Sequence, residues 1–153
     1  MKLTLRTFTP EDFEALYRID QVCYEPEIAY SRRELRNYLR FPGADCFVAE
    51  DAGKLVGFCL TAHEGSRGHI ITIDVLAEYR RQGVGTSLLA EVESKLAQLG
   101  VRELGLETAT DNNSAIAFWH KHGYRTRAVW KDYYPGGRDA YAMTKTIAQP
   151  AAR

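Results

Sequence analysis

The stretch EYRRQGVGTSLLAEVESKLAQLG, from Glu78 to Gly100, joins two arginines and two glycines to a long amphipathic pattern. Leu88, Leu89, Val92, Leu96 and Leu99 recur at helical spacing, and Gly100 is a natural stop. In front of it, GHIITIDVL (Gly68 to Leu76) is a nearly continuous apolar, β-branched run, as expected of a central strand covered on both faces. A helix that starts straight after such a strand leaves its first N–H groups without intrahelical partners. Those donors, together with the positive end of the helix dipole, form an anion site. Gly83 and Gly85 let the chain wrap closely around an occupant, and Arg80 and Arg81 add charge at the rim. A phosphate or pyrophosphate suits this place.

Outward from that core the chain alternates cleanly. Leu3 to Phe8 reads as a strand; Thr9 and Pro10 then open a helix that runs through Asp20. The loop CYEPEIAY leads to SRRELRNYL, where Ser31 and Glu34 have capping-box spacing. Asp45 to Glu64 reads as a hairpin turning at DAGK. After the opening segment come a strand (Val101 to Thr110), a short helix (Asn112 to Gly123) and a strand (Tyr124 to Tyr134). The turn PGGRD precedes a last strand, Ala140 to Ile147. This order predicts an α/β domain over residues 1–147, one mixed sheet with helices on both faces, and a flexible tail over 148–153.

Composition narrows the function. The 153 residues are 45% hydrophobic and 26% charged, with 20 basic residues against 20 acidic, so no global field favours nucleic acid or an anionic membrane. No apolar run approaches the roughly 20 residues that cross a bilayer. Cys23, Cys46 and Cys59 are isolated, which fits buried thiols in a reducing cytoplasm. His120 and His122 flank Lys121 without ligand spacing, so no metal is expected.

Three nucleotide motifs compete for the glycine loop. A P-loop needs a lysine after its last glycine, and none follows Gly85; a dinucleotide fingerprint needs a third glycine where Leu88 stands. What remains, Arg80-x-x-Gly83-x-Gly85, resembles the [RQ]-x-x-G-x-[GA] loop of the GNAT superfamily of N-acetyltransferases. LETATDNNSAIAFWHKHGY, from Leu106, is similar to that family's N-x-x-A-x-x-x-Y-x-x-x-G-[FY] segment through Asn112, Ala115, Gly123 and Tyr124. KDYYPGGRDAYAMTK resembles the branch that acetylates protein N-termini, such as ribosomal-protein-alanine N-acetyltransferases.

The resemblance implies a mostly antiparallel, twisted sheet of about seven strands and acetyl-CoA as acetyl donor. It implies that the backbone of Ile73, Asp74 and Val75 pairs with the pantetheine arm. The loop of Arg80, Arg81, Gln82, Gly83, Val84, Gly85 and Thr86 would hold the pyrophosphate, with Asn112, Ala115 and Trp119 alongside the coenzyme. Glu107 stands at the position of a catalytic glutamate, and His69 near that of a catalytic tyrosine in some relatives; either is a candidate base. Tyr30, Tyr133 and Tyr134 are implied as walls for the acceptor. Two positions depart from the family pattern: Ala77 replaces a common proline, and Trp119 replaces the tyrosine that protonates the leaving thiolate. Indole offers an N–H donor but no practical acid.

The acceptor governs how strong a base is needed. A terminal α-amine with a pKa of about 8 costs about 1 kcal/mol to neutralise at pH 7, against about 4.6 kcal/mol for lysine. A modest base therefore suffices for a protein N-terminus, the leading acceptor. A small-molecule amine is the alternative acceptor, and a non-catalytic coenzyme A sensor is the alternative class, motivated by Trp119. Monomer and homodimer are both open.

Overall fold

In the computed structural model residues 1–150 are described. Seven strands form one sheet: β1 (Leu3–Thr7), β2 (Ala44–Asp51), β3 (Lys54–Glu64), β4 (Arg67–Val75), β5 (Glu103–Ala109), β6 (Arg125–Tyr134) and β7 (Arg138–Thr146). Their order in space is β1-β2-β3-β4-β5-β7-β6, and only the β4–β5 pair is parallel. Four helices cover it: α1 (Phe13–Cys23), α2 (Arg32–Leu39), α3 (Val84–Gln98) and α4 (Asn113–Lys121). The expected element order and the mostly antiparallel sheet are borne out.

Local chemistry explains the ends. Ser31 Oγ accepts from Glu34 N–H at 3.1 Å while Glu34 accepts from Ser31 N–H at 2.9 Å, the reciprocal cap read from the spacing. Thr9 and Pro10 open a short 3-10 turn, Pro10–Asp12, before α1 begins at Phe13. At the β2–β3 hairpin both central residues, Ala52 and Gly53, take positive φ, the handedness that two-residue turns need to match strand twist.

The two faces carry separate cores. On one, Leu16 and Ile19 of α1 and Leu35 of α2 meet Val48, Phe58 and Leu60. On the other, Leu88, Leu89, Val92 and Leu96 of α3 and Trp119 of α4 pack on Cys59, Ile70, Leu104, Leu106 and Met143. Tyr124, 1% exposed, closes the second core, its hydroxyl donating to Glu93 at 2.8 Å while Lys145 Nζ holds the same carboxylate at 2.8 Å. This ties α3 to β7. Part of the expected tail lies outside the described residues; within them Gln149 donates to the carbonyls of Val101 and Ile147, both at 3.1 Å.

What positions the site is a failure of pairing. β4 and β5 are bonded only through Arg67–Glu103, Gly68–Leu104 and His69–Gly105, and then part. β5 goes on pairing with β7 as far as Ala109, while β4 stays on β3. From Ile70 to Val75 the β5 side of β4 is therefore an open edge. A bulge at the same level, where Leu60 pairs with Thr72 and Thr61 with Ile70, leaves Ile71 as the extra residue and bends the strand.

Candidate active site

At the fork where β4 and β5 part, His69 Nε2 and Glu107 Oε1 lie 2.8 Å apart. His69 is the last β4 residue paired across; Glu107 lies two residues beyond its partner Gly105, on the same face of β5. Gly105 presents no side chain between them. The Glu107 side chain is 13% exposed and that of His69 45%, so the pair runs from a nearly dry carboxylate to a wet imidazole. Tyr133, at the end of β6, donates its hydroxyl to the same Glu107 oxygen at 3.1 Å. Burial and the neighbouring Glu107 charge push the Tyr133 phenol well above its ordinary pKa, so it stays a donor. Sequence reading named these three residues separately; the fold makes them one unit.

Below the fork, the loop into α3 has the backbone of an anion site. Arg81 and Gly83 take positive φ, 61° and 85°, and such alternation turns successive N–H groups toward one centre. The first bond of the helix is Ser87 N–H to Gly83 O, so the amides ahead of it have no helical acceptor. The first turns of α1 and α2 carry Glu14 and Glu34; that of α3 carries no acid, which leaves its positive end for a ligand. Arg80 Nε donates to Val75 O at 3.0 Å, so Arg80 fastens the loop to the end of β4 as well as charging the rim. Gln82 Nε2 is taken by Glu78 O at 2.7 Å. Gly85 has a packing role too: a Cβ there would stand 3.2 Å from the Phe118 ring. Thr86 is exposed and pairs with His122 Nε2 at 3.1 Å.

The remaining sequence-named residues fall around this cleft. Asn112 Oδ1 caps α4 by accepting from Ala115 N–H at 3.2 Å, which leaves its amide nitrogen as the group available to a ligand. Trp119 is 5% exposed and packs between Phe118 and Tyr124, with ring centroids at 5.0 and 5.1 Å. Ile73 and Val75 belong to the open stretch of β4, whereas the Asp74 side chain turns inward and is 1% exposed. Tyr30 is half-buried and donates to Ile71 O at 3.4 Å, supporting β4 from behind. Tyr134 is half-buried, its phenol raised to about 12, burial first and Glu107 second. A groove of about 320 Å³ lined by Phe41, Pro42, His63, Arg67 and Gly68 opens onto His69.

Sequence reading missed Arg138. From the start of β7 it donates to Glu25 of the α1–α2 loop at 2.7 Å and to Asp111 of the β5–α4 loop at 2.8 Å, strapping three loops at the mouth of the cleft. The arginine in PGGRD and the acids in YEPEIAY were visible, but nothing local to either said they would meet. No group of three or more His, Cys, Asp or Glu that could hold a metal occurs among the described residues. None of their helices is long and apolar enough to cross a membrane.

A split sheet whose open strand runs into a helix start with unpaired N–H groups and no acid, with a carboxylate and an imidazole at the fork, has the parts to seat a phosphate-bearing cosubstrate. The chain belongs to the acetyltransferase (GNAT) family, whose description matches residues 13–124, and is thereby an acetyl-CoA-dependent N-acetyltransferase. It is 32% identical over 145 residues to an uncharacterized N-acetyltransferase of Methanocaldococcus jannaschii, covering 94% of this chain and 91% of the relative. An N-alpha-acetyltransferase of Saccharolobus solfataricus is 29% identical over 157 residues, covering 94% of this chain and 93% of the relative. The crystal structure of the ribosomal-protein-S18-alanine N-acetyltransferase from Escherichia coli superposes with a TM-score of 0.87 at 26% identity, covering 99% of this chain and 97% of that one.

Proposed function

We propose that this acetyltransferase acts on the N-terminal α-amine of a protein, with a ribosomal protein as the leading acceptor class, and that Glu107 is its base. The observation that carries the reading is the contact of Glu107 with both His69 and Tyr133 at the fork. Acetyl-CoA supplies an activated acetyl thioester. The open edge of β4 at Ile73, Asp74 and Val75 offers backbone partners for its pantetheine arm, and the Arg80–Thr86 loop offers donors for its pyrophosphate. The amide of Asn112 and Ala115 form the other wall, while Trp119 packs behind them in the core.

Glu107 accepts the proton of the incoming ammonium, directly or through one water. Tyr133 and His69 hold the carboxylate in place, and the half-exposed imidazole passes the proton on to solvent. A base of this kind is adequate for an α-amine and weak for lysine, because the two differ by about 3.5 kcal/mol in the cost of neutralisation at pH 7. Tyr133 and Tyr134 on one side and the loop carrying Tyr30 on the other are the walls of the acceptor groove, held at their spacing by the Arg138–Glu25 pair. The names of two of the relatives, which specify α-amine and ribosomal-alanine acetylation, support the same acceptor class. The three unpaired cysteines fit a cytoplasmic setting. An acceptor panel of short peptides with free or blocked N-termini beside polyamines and amino acids tests the reading. Free N-termini are expected to be the best acceptors, and a polyamine or amino acid turning over faster than every peptide would overturn it.

Trp119 fills the family's tyrosine position with packing and leaves no acid there. Trp119→Tyr introduces a phenol into a pocket shaped for a larger ring, at a cost of about 1–3 kcal/mol in stability. Turnover per folded molecule is expected to hold or rise, since a phenol supplies a proton that indole cannot. A steady-state assay corrected for folded fraction checks this; a drop of more than about tenfold in turnover would mean that indole itself has a catalytic part.

A further inference from the structure

Behind the open edge of β4 lies a pair of acids that the chemistry above leaves unused. Asp20 on α1 is 0% exposed and Asp74 on β4 is 1% exposed. Their carboxyl groups are neighbours in the space between α1 and β4. Asp20 Oδ2 accepts from Tyr30 N–H at 2.8 Å, and Asp74 Oδ1 accepts from Thr72 Oγ1 at 2.5 Å. The other oxygens, Asp20 Oδ1 and Asp74 Oδ2, are shut off from solvent and meet no N–H or O–H donor. Two ionised carboxylates touching in a dry site repel strongly; one proton between them turns the contact into an O–H···O bond.

Contacts from α1 and the loop after it converge on the same stretch of strand. The Tyr24 hydroxyl reaches Ile73 O at 3.3 Å and Thr72 Oγ1 at 3.2 Å, and the Tyr30 hydroxyl reaches Ile71 O at 3.4 Å. We propose that Asp20 and Asp74 hold one proton between them, and that this bond is the positioning device that sets the open stretch of β4 against α1 and the acceptor-side loop. Burial, the largest cause, and the mutual contact both raise Asp74; burial raises Asp20. The titratable groups facing the pair are Cys23 and Tyr24 at the end of α1, Tyr30 in the loop, Glu34 on α2 and Cys46 on β2; Cys59 on β3 lies on the opposite face of the sheet. None of these is a cation that could hold two carboxylates in place of the proton; Arg80 brings its charge to Cys23 and Val75 O.

The consequence is a signed pH dependence. The folded chain keeps a proton that the unfolded chain releases above the ordinary aspartate range. The stability contributed by the pair is fully present at acid pH and is lost as pH rises toward the folded value. For one retained proton the unfolding constant grows tenfold per pH unit across that window. Asp20→Asn isolates the effect. Its amide oxygen can keep the Tyr30 bond while its N–H donates to the Asp74 carboxylate, so shape and net charge are preserved but no proton is shared.

Unfolding constants of the wild type and Asp20→Asn, measured without coenzyme from about pH 5 upward, are expected to diverge by about tenfold per unit until the folded pair gives up its proton. A ratio that stays flat overturns the shared proton. A second arm rests on the proposed seating of the coenzyme along β4. At about pH 7, acetyl-CoA should bind Asp20→Asn within about twofold of wild type, and Asp20→Leu at least about tenfold more weakly. Wild-type affinity in a folded Asp20→Leu protein overturns the positioning role; should that variant not fold, the Asp20→Asn comparison decides. Failure of the wild type to bind acetyl-CoA would fault the coenzyme placement and leave the proton arm standing.

Discussion

Replacing Glu107 by glutamine is expected to lower turnover by about 10²–10³-fold, or about 3–4 kcal/mol of transition-state stabilisation, while acetyl-CoA affinity stays within about twofold. The amide can still accept from Tyr133 and meet His69, so the geometry at the fork survives. What it cannot do is take a proton. The loss should be greatest below about pH 8, where an α-amine arrives mostly as ammonium, and shrink as the acceptor deprotonates itself. His69→Gln, by contrast, is expected to cost less at every pH, because the imidazole holds and relieves the carboxylate without being the first acceptor. Rate profiles against pH for the three proteins make the comparison. Equal profiles for wild type and Glu107→Gln would remove Glu107 from the mechanism.

Thr86→Glu is expected to separate stability from binding. Thr86 is exposed in the first turn of α3, a turn without an acid. A carboxylate there favours the helix dipole by about 0.3–1 kcal/mol, so the folded state should hold or gain. The same charge opposes a pyrophosphate at the same N–H groups. Acetyl-CoA affinity should fall by at least about tenfold, about 1.4 kcal/mol. This substitution is cleaner than one at Gly85, where any side chain meets the Phe118 ring and confuses packing with binding. Calorimetry paired with thermal melts reads both quantities. Unchanged affinity in a stabilised Thr86→Glu protein would remove the pyrophosphate from the start of α3.

Wherever a local rule applied, the sequence carried the fold. Ser31 and Glu34 announced their reciprocal cap, and the alternation of strands and helices announced the sheet; the proposed anion loop was read from Gly83 and Gly85. The site was legible as residues and illegible as contacts. His69 and Glu107 are 38 positions apart, and their meeting depends on where β4 and β5 stop pairing, which no local pattern specifies. The bulge at Ile71 and the positive φ of Asp132 in β6 are likewise settled by register. Asp74 did leave a signal, a lone acid inside an apolar β-branched run. Its explanation needed Asp20, brought over it by the docking of α1. Arg138 needed three loops at once.

The acceptor proposed for the fork at Glu107 is an α-amine. One measurement addresses it directly: incubate the unmodified protein and acetyl-CoA with a peptide bearing both a free N-terminus and an internal lysine, and locate the acetyl group by fragment mass spectrometry. Acetylation is expected at the N-terminal nitrogen, with lysine modified at least about 10²-fold more slowly, in line with the difference of about 3.5 kcal/mol in amine neutralisation. Acetyl found on the lysine at a comparable rate, or no transfer to any acceptor while acetyl-CoA still binds, would contradict it.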